Sequence, residues 1–404
     1  MNCRMQPLSV VAKIDGGYAF KSEAFSDIGV PVIRISNINE GRVNLKETAR
    51  VPESFLKDFS AFRLNPCDIL IAMSGATTGK IGVVPSDINE PLLLNQRVGR
   101  FKILDHKKLD QSYLRFIAES NNFQTQIQLL AAGAAQSNIS GKQIESIQIP
   151  LPPLEVQKKI AAVLEKADAL RRKREEQIKR LDDLLQATFL DMFGDPVTNP
   201  KGWPMQKFGN CISNIRSGWS AKAENRPAVG NEYGVFKISA VTTGRFIKSE
   251  NKYVKNIDSK RVLIIPQKGD LLFSRANTRE LVAAVCLVEE DCKNLFLPDK
   301  LWKIEALENT STKEFLRYVI MDPGIHEKIT TKATGTSGSM LNVSQQKFLS
   351  VDLPLPPFQL QKFFSSLFWK TIEQRKRLDA AFNLIKSNFN SLMQRAFKGE
   401  LELK

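Results

Sequence analysis

Pro150-Leu151-Pro152-Pro153-Leu154-Glu155-Val156-Gln157 returns 204 residues later as Pro354-Leu355-Pro356-Pro357-Phe358-Gln359-Leu360-Gln361. In both copies proline stops what precedes it and suits the first turn of a helix, and about 40 residues without Pro or Gly follow. Upstream of each copy the correspondence continues. Asn95-Gln96-Arg97-Val98 answers Pro298-Asp299-Lys300-Leu301 at an offset of 203, and Asp68-Ile69-Leu70-Ile71 answers Asp270-Leu271-Leu272-Phe273 at 202. Ile33-Arg34-Ile35-Ser36-Asn37-Ile38-Asn39-Glu40-Gly41-Arg42 answers Phe236-Lys237-Ile238-Ser239-Ala240-Val241-Thr242-Thr243-Gly244-Arg245 at 203. A fainter echo links Val10 to Gly17 with Cys211 to Gly218 at 201. An offset that drifts by three residues identifies one unit written twice.

Each repeat begins with about 150 residues of short β-branched stretches, at 32–35, 69–72, 235–238 and 270–273, broken by Gly, Asn and Pro. Each ends in a long segment with heptad spacing. In the first, Ile160, Val163, Ala167, Leu170, Arg174, Ile178, Leu181, Leu185, Thr188 and Met192 step by three or four; in the second, Phe364, Phe368, Thr371, Arg375, Leu378, Phe382, Ile385, Phe389, Leu392 and Ala396 do the same. Both seams need a partner helix, and an antiparallel pair buries them together. A helix of about 38 residues is about 57 Å long, enough to act as a rigid spacer. The expected architecture is α+β. Two duplicated mixed α/β domains, residues 1–150 and 196–352, are joined by two long antiparallel coiled-coil helices, 151–195 and 353–404, about a pseudo-twofold axis.

The 404 residues, 42% hydrophobic and 25% charged, suit two to three globular domains. Fifty-eight Lys and Arg against 43 Asp and Glu leave a net charge of +15, which favours a polyanionic partner, nucleic acid ahead of an acidic membrane. The longest apolar run, Leu281 to Val288, is far too short to span a bilayer, and the first residues lack the apolar core of a signal peptide, so a cytoplasmic location is expected. Five cysteines, Cys3, Cys67, Cys211, Cys286 and Cys292, form no Cys-x-x-Cys pair and fit free thiols rather than zinc.

The two helical stretches carry +1 and +5, leaving +9 on the globular parts. Charge on the helices, Arg171-Arg172-Lys173-Arg174 included, reads as a solvated face. In the globular parts, polar loop residues accompany the charge: Ser74, Thr77, Thr78 and Lys80 in one loop, Ser274, Arg275, Asn277, Thr278 and Arg279 in its counterpart. With Arg34, Ser36, Asn37, Gln96 and Arg97 in the first repeat and Lys237, Ser239 and Lys300 in the second, they form the candidate DNA-contacting set. Arg and Lys pair with guanine, Asn and Gln with adenine, and Ser or Thr with base or phosphate.

A catalyst is not evident. Gly75-Ala76-Thr77-Thr78-Gly79-Lys80 has three residues between its glycines and Ile81 after the lysine, so it is not a phosphate loop. The histidines, His106 and His326, stand in no nucleophile motif, and neither a Gly-x-Gly-x-x-Gly fingerprint nor an Asn-Pro-Pro-aromatic motif occurs.

Taken together, the repeat and four local phrases resemble the DNA specificity subunits of type I restriction-modification systems along the full chain. The phrases are Leu151 to Gln157, Met192-Phe193-Gly194-Asp195-Pro196, Gly269-Asp270-Leu271-Leu272-Phe273-Ser274-Arg275-Ala276-Asn277 and Arg395-Ala396-Phe397-Lys398-Gly399-Glu400-Leu401. The resemblance implies two target recognition domains, each reading one half of a split double-stranded DNA site. The helices would recruit two methyltransferase subunits, which motor-nuclease subunits then join. S-adenosylmethionine, ATP and Mg would belong to those partners, and this chain would hold no cofactor, metal or catalytic residue of its own and meet no membrane. Met73-Ser74-Gly75 stands where the second repeat has Arg275-Ala276-Asn277, which implies two different half-sites. The competing readings are a tandem DNA-binding scaffold without a methyltransferase partner and a DNA nuclease.

Overall fold

The computed structural model describes residues 4–39, 41–132, 138–258, 260–334 and 340–401. Helix and sheet are mixed throughout, and the chain divides into two compact units. Met1–Glu175 with Ala381–Lys404 forms the first, and Glu176–Ala380 forms the second. Both long helices, Leu154–Phe193 and Phe358–Lys398, are continuous, so each unit contains half of each helix.

The two units repeat one design. In the first, a six-stranded sheet is ordered Ala12–Gly16, Val98–Ile103, Ile69–Ala72, Ile81–Val83, Gly41–Val43, Ile38–Asn39. In the second, the matching core runs Ile212–Ser217, Leu301–Ala306, Leu271–Ser274, Val285–Leu287. A smaller sheet accompanies each and contains a parallel pair: Val30–Ile33 beside Leu92–Leu94, and Gly234–Phe236 beside Leu295–Phe296. The central strands are apolar on both faces, as residues 69–72 and 271–273, all buried, illustrate. Three helices follow in each unit: Gln111–Glu119, Asn121–Ala131 and Gly141–Glu145, then Lys313–Met321, Pro323–Thr330 and Gln345–Leu349. All six start at a side-chain cap, Asp110, Ser120, Ser140, Thr312, Asp322 and Ser344 respectively, each accepting from a backbone N–H of the first turn.

The repeated phrases are joints. Asp68 accepts from the Asn65 N–H at 2.8 Å and faces Arg100 at 3.6 Å; Asp270 accepts from Gln267 N–H at 2.8 Å and pairs with Lys303 at 2.6 Å. One carboxylate thus closes a turn and ties its strand to the next. Gln157 and Gln361, both fully buried, clasp the start of each long helix to the globular part. The Gln157 amide donates to Lys108 O and Pro152 O while accepting from Asp110 N–H; the Gln361 amide donates to Thr310 O and Pro356 O while accepting from Thr312 N–H. Gly41 and Gly244 share a positive φ, 74° and 75°. An added Cβ would lie 2.9 Å from Glu119 Oε1 in the first case and 3.1 Å from Met321 Cε in the second, so both turns pack against the ends of helix side chains, and their positive φ favours glycine.

Within the first unit Ile160, Ala161 and Leu164 share a core with Phe389, Met393 and Ala396; within the second, Leu185, Phe189 and Phe193 share one with Phe364, Phe368 and Ile372. Early residues of one helix meet late residues of the other, so the pairing is antiparallel. Phe189 stacks on Tyr318 at 5.1 Å and meets Phe364 edge-on at 5.6 Å; burying such a ring contributes about 1.5–3 kcal/mol.

The second expected seam lies inward along its length, every position buried or half-buried. The first is displaced at its start: Val163 is 38% and Leu170 51% exposed, while Gln157, Leu164 and Asp168 face the core. An aspartate and a glutamine hold core positions that an apolar heptad assigns to hydrocarbon, because both are fully hydrogen-bonded there. Cys67 is exposed and Cys211, Cys286 and Cys292 are buried free thiols; Cys3 lies outside the described residues. No helix among the described residues is long and apolar enough to cross a membrane.

Candidate nucleic-acid interface

Strand ends bring three predicted segments of the first unit together. Met73 N–H donates to Arg97 O at 2.9 Å, Asn95 N–H to Ile33 O at 3.1 Å, and Ile139 N–H to Met73 O at 3.0 Å. Segments 34–37, 74–80 and 95–97 therefore share one edge. Ser36, Lys80, Gln96 and Arg97 are exposed there, and Arg34, Thr77 and Thr78 are half-buried. Arg34 lies over the Phe25 ring at 5.6 Å. The Thr77 and Thr78 hydroxyls donate to Ser74 O and Gly75 O, shaping the turn. Asn37 and Ser74 are buried. The Asn37 amide donates to Asn44 O and Glu47 O and accepts from Arg34 N–H, so it braces the loop from inside.

The second unit assembles the same edge from different side chains. Arg275 N–H donates to Lys300 O at 3.0 Å and Val343 N–H to Arg275 O at 2.9 Å. Ser274 is fully buried, Arg279 is exposed, and Lys237, Ser239, Arg275, Asn277, Thr278 and Lys300 are half-buried. Asn277 Oδ1 accepts from Thr278 N–H at 2.9 Å. Sequence reasoning missed two acids here. Asp299 accepts Arg275 Nε at its carbonyl, 2.9 Å, and carries the Ser220 hydroxyl on its carboxylate. Glu250 accepts from the Ser239 hydroxyl at 2.6 Å and pairs with Lys237 at 3.4 Å. The Ser239 hydrogen bond, with Lys237, holds Glu250 below the ordinary carboxylate range, so it is an anion at neutral pH. Asp299 was visible as the counterpart of Gln96; Glu250 reaches Ser239 only through strand pairing.

In each unit an ion cluster joins the globular part to a long helix. Asp168, 3% exposed, accepts from Arg115 at 2.5 Å, Arg171 at 2.9 Å and Arg172 at 2.8 Å, and Arg115 also holds Glu119 at 3.1 Å. Burial raises the Asp168 carboxyl, but the Arg115 hydrogen bond and the surrounding guanidinium charge outweigh it and hold it below its usual value. Burial dominates at Glu119 and pushes it up despite Arg115. Arg171 and Arg172, expected on a solvated face, are thus half-buried in this cluster, while Lys173 is exposed. In the second unit Arg375, 5% exposed, binds Asp182 at 3.1 Å and Glu289, and Arg245 also pairs with Asp182. Arg245 follows Gly244, whose close approach places it there.

His326 Nε2 lies 2.8 Å from Val282 O, and no group of three or more potential metal ligands occurs among the described residues. The exposed chemistry of both edges is that of hydrogen-bonding and cationic surfaces.

Residues 5–180 match the model of the type I restriction modification DNA specificity domain. Over 419 residues the chain is 26% identical to the type I restriction enzyme EcoKI specificity subunit of Escherichia coli K12, covering 98% of this chain and 88% of the relative. The MjaVIII specificity subunit of Methanocaldococcus jannaschii is 35% identical over 179 residues, 43% of this chain and 42% of that one. A crystal structure of a type I restriction-modification S subunit from M. genitalium shares the fold, with a TM-score of 0.57 at 15% identity over 98% of this chain and 96% of the other.

Proposed function

We propose that the chain is a type I restriction-modification specificity subunit and that it reads a bipartite double-stranded DNA target, one half-site per recognition domain. In this reading residues 1–150 and 196–352 are the recognition domains, and 151–195 and 353–404 are the spacer helices. The observation that carries it is the pair of matching loop edges with unlike side chains. Ser36, Lys80, Gln96 and Arg97 stand on one, and Lys237, Arg275, Asn277, Arg279 and Lys300 on the other. One framework carrying two sets of donors and acceptors suits two different half-sites. Rigid helices between them leave an unread gap of a few base pairs.

The helices also recruit two methyltransferase subunits, and motor-nuclease subunits complete the assembly in the cytoplasm. Adenine methylation from S-adenosylmethionine and ATP- and Mg-dependent cleavage belong to those partners; this chain supplies the address. Methylation mapping by sequencing, in cells expressing the chain with its cognate methyltransferase subunit, tests the proposal. The expected pattern is two short unlike motifs separated by a fixed gap. A continuous motif refutes the bipartite reading, and DNA cleavage by the chain alone with Mg favours a nuclease.

A further inference from the structure

We infer that the second recognition unit holds a DNA backbone phosphate in the cavity lined by Ser220, Lys237, Ser239 and Lys252, with Lys252 supplying the charge. The cavity measures about 470 Å³, and Val235 and Pro298 complete its wall. The sequence alone pointed to Lys237 and Ser239. Lys252 arrives because its strand pairs antiparallel with Gly234–Phe236, setting it opposite Val235. Ser220 arrives because Trp219 N–H donates to Leu297 O at 2.9 Å, and its hydroxyl reaches Asp299, which also holds Arg275. The cavity is therefore continuous with the candidate DNA edge, and the inference rests on the reading that this edge meets DNA.

The charge arithmetic selects the ligand class. Glu250 already engages Lys237 and Ser239. Asp299, which holds Ser220, pairs with Arg275 at 3.8 Å, and among the described residues Lys252 makes no ion pair, so its ammonium is the charge on the cavity wall left uncompensated. A compact ammonium without a carboxylate partner suits a phosphate oxygen, whereas base reading favours the planar forks of Arg, Asn or Gln. The first unit does not repeat the feature: Val32 N–H donates to Ala49 O where the second unit has Val235 and Lys252. The contact is thus peculiar to the second half-site.

The test uses the full chain and a random-sequence duplex of about 40 bp, with fluorescence anisotropy between 50 and 200 mM salt. One lost phosphate contact lowers the slope of log K against log salt by about 0.9. Lys252→Ala and Lys252→Gln are expected to show that decrease with weaker binding on every duplex, and Lys252→Arg to restore the slope. Lys370→Ala, on an exposed position of the C-terminal helix, is expected to leave it unchanged. An unchanged slope in Lys252→Ala, an equal decrease in Lys370→Ala, or a loss confined to one DNA sequence each overturns the phosphate assignment. Failure of the unsubstituted chain to bind any duplex instead refutes the DNA reading, and this inference falls with it.

Discussion

Asp168→Asn removes one negative charge with almost no change of shape, and the structure sets the consequence. The carboxylate is 3% exposed and holds Arg115, Arg171 and Arg172, whose side chains are only 16%, 18% and 22% exposed. Removing one partner of a buried ion pair costs about 3–5 kcal/mol, because the opposite charges stay desolvated. The lower figure is expected here, since Glu119 remains beside Arg115 and each guanidinium keeps some contact with water. The pH dependence has a definite sign. Asp168 has a folded pKa below its unfolded value of about 3.8, so its stabilisation is complete above that value and is lost as pH falls through the folded value. The gap between native and Asp168→Asn proteins is expected to be full at pH 7 and to close only below pH 3.8. Urea unfolding, with hydrogen exchange of the Gln111–Glu119 amides, measures it. Trp203, Trp219, Trp302 and Trp369 all lie in the second unit, so tryptophan fluorescence provides an internal reference. A loss under about 1 kcal/mol at pH 7, or an undiminished gap well below the folded pKa, would refute the cluster's structural role.

Gln157→Ala and Gln361→Ala each strip three hydrogen bonds from a buried joint and should cost about 2–4 kcal/mol, read by denaturant unfolding; exposed Gln394→Ala should cost nothing measurable. Arg97→Ala or Arg275→Ala should relax one half-site only, at about 1–3 kcal/mol if the side chain reads a base, measured by competition binding; equal loss on random DNA marks a phosphate contact instead. Inserting seven helical residues between Glu175 and Glu176 and seven between Ala380 and Ala381 adds about 10.5 Å to both helices and spares the Asp168 and Arg375 clusters. Methylation mapping should then show a gap longer by about three base pairs with both half-motifs intact; changed motifs with an unchanged gap contradict the spacer model.

Duplication, mixed fold class and the two long helices were legible in the sequence because each leaves a linear signature: a constant offset near 203, Pro-Leu-Pro-Pro at a helix start, and a period near 3.5. The second seam was legible throughout, since Phe364, Phe368 and Phe389 are apolar and face the core. The first was misplaced where Asp168 takes a core position. Its local partners Arg171 and Arg172 read as a solvated ion-pair face, and Arg115, which completes the buried cluster, lies 53 residues away, where no local pattern announces it. The same limit governs the candidate interface. Loop polarity picked out Lys80, Gln96, Arg97 and Arg279, which are exposed, but it could not distinguish them from Asn37, Ser74 and Ser274, which the fold encloses. Nor could it find Glu250 or Lys252, whose neighbours come from other strands. Periodicity records which face of an element is apolar; whether a polar side chain meets water or a buried partner depends on contacts distant in sequence, and only tertiary structure decides those.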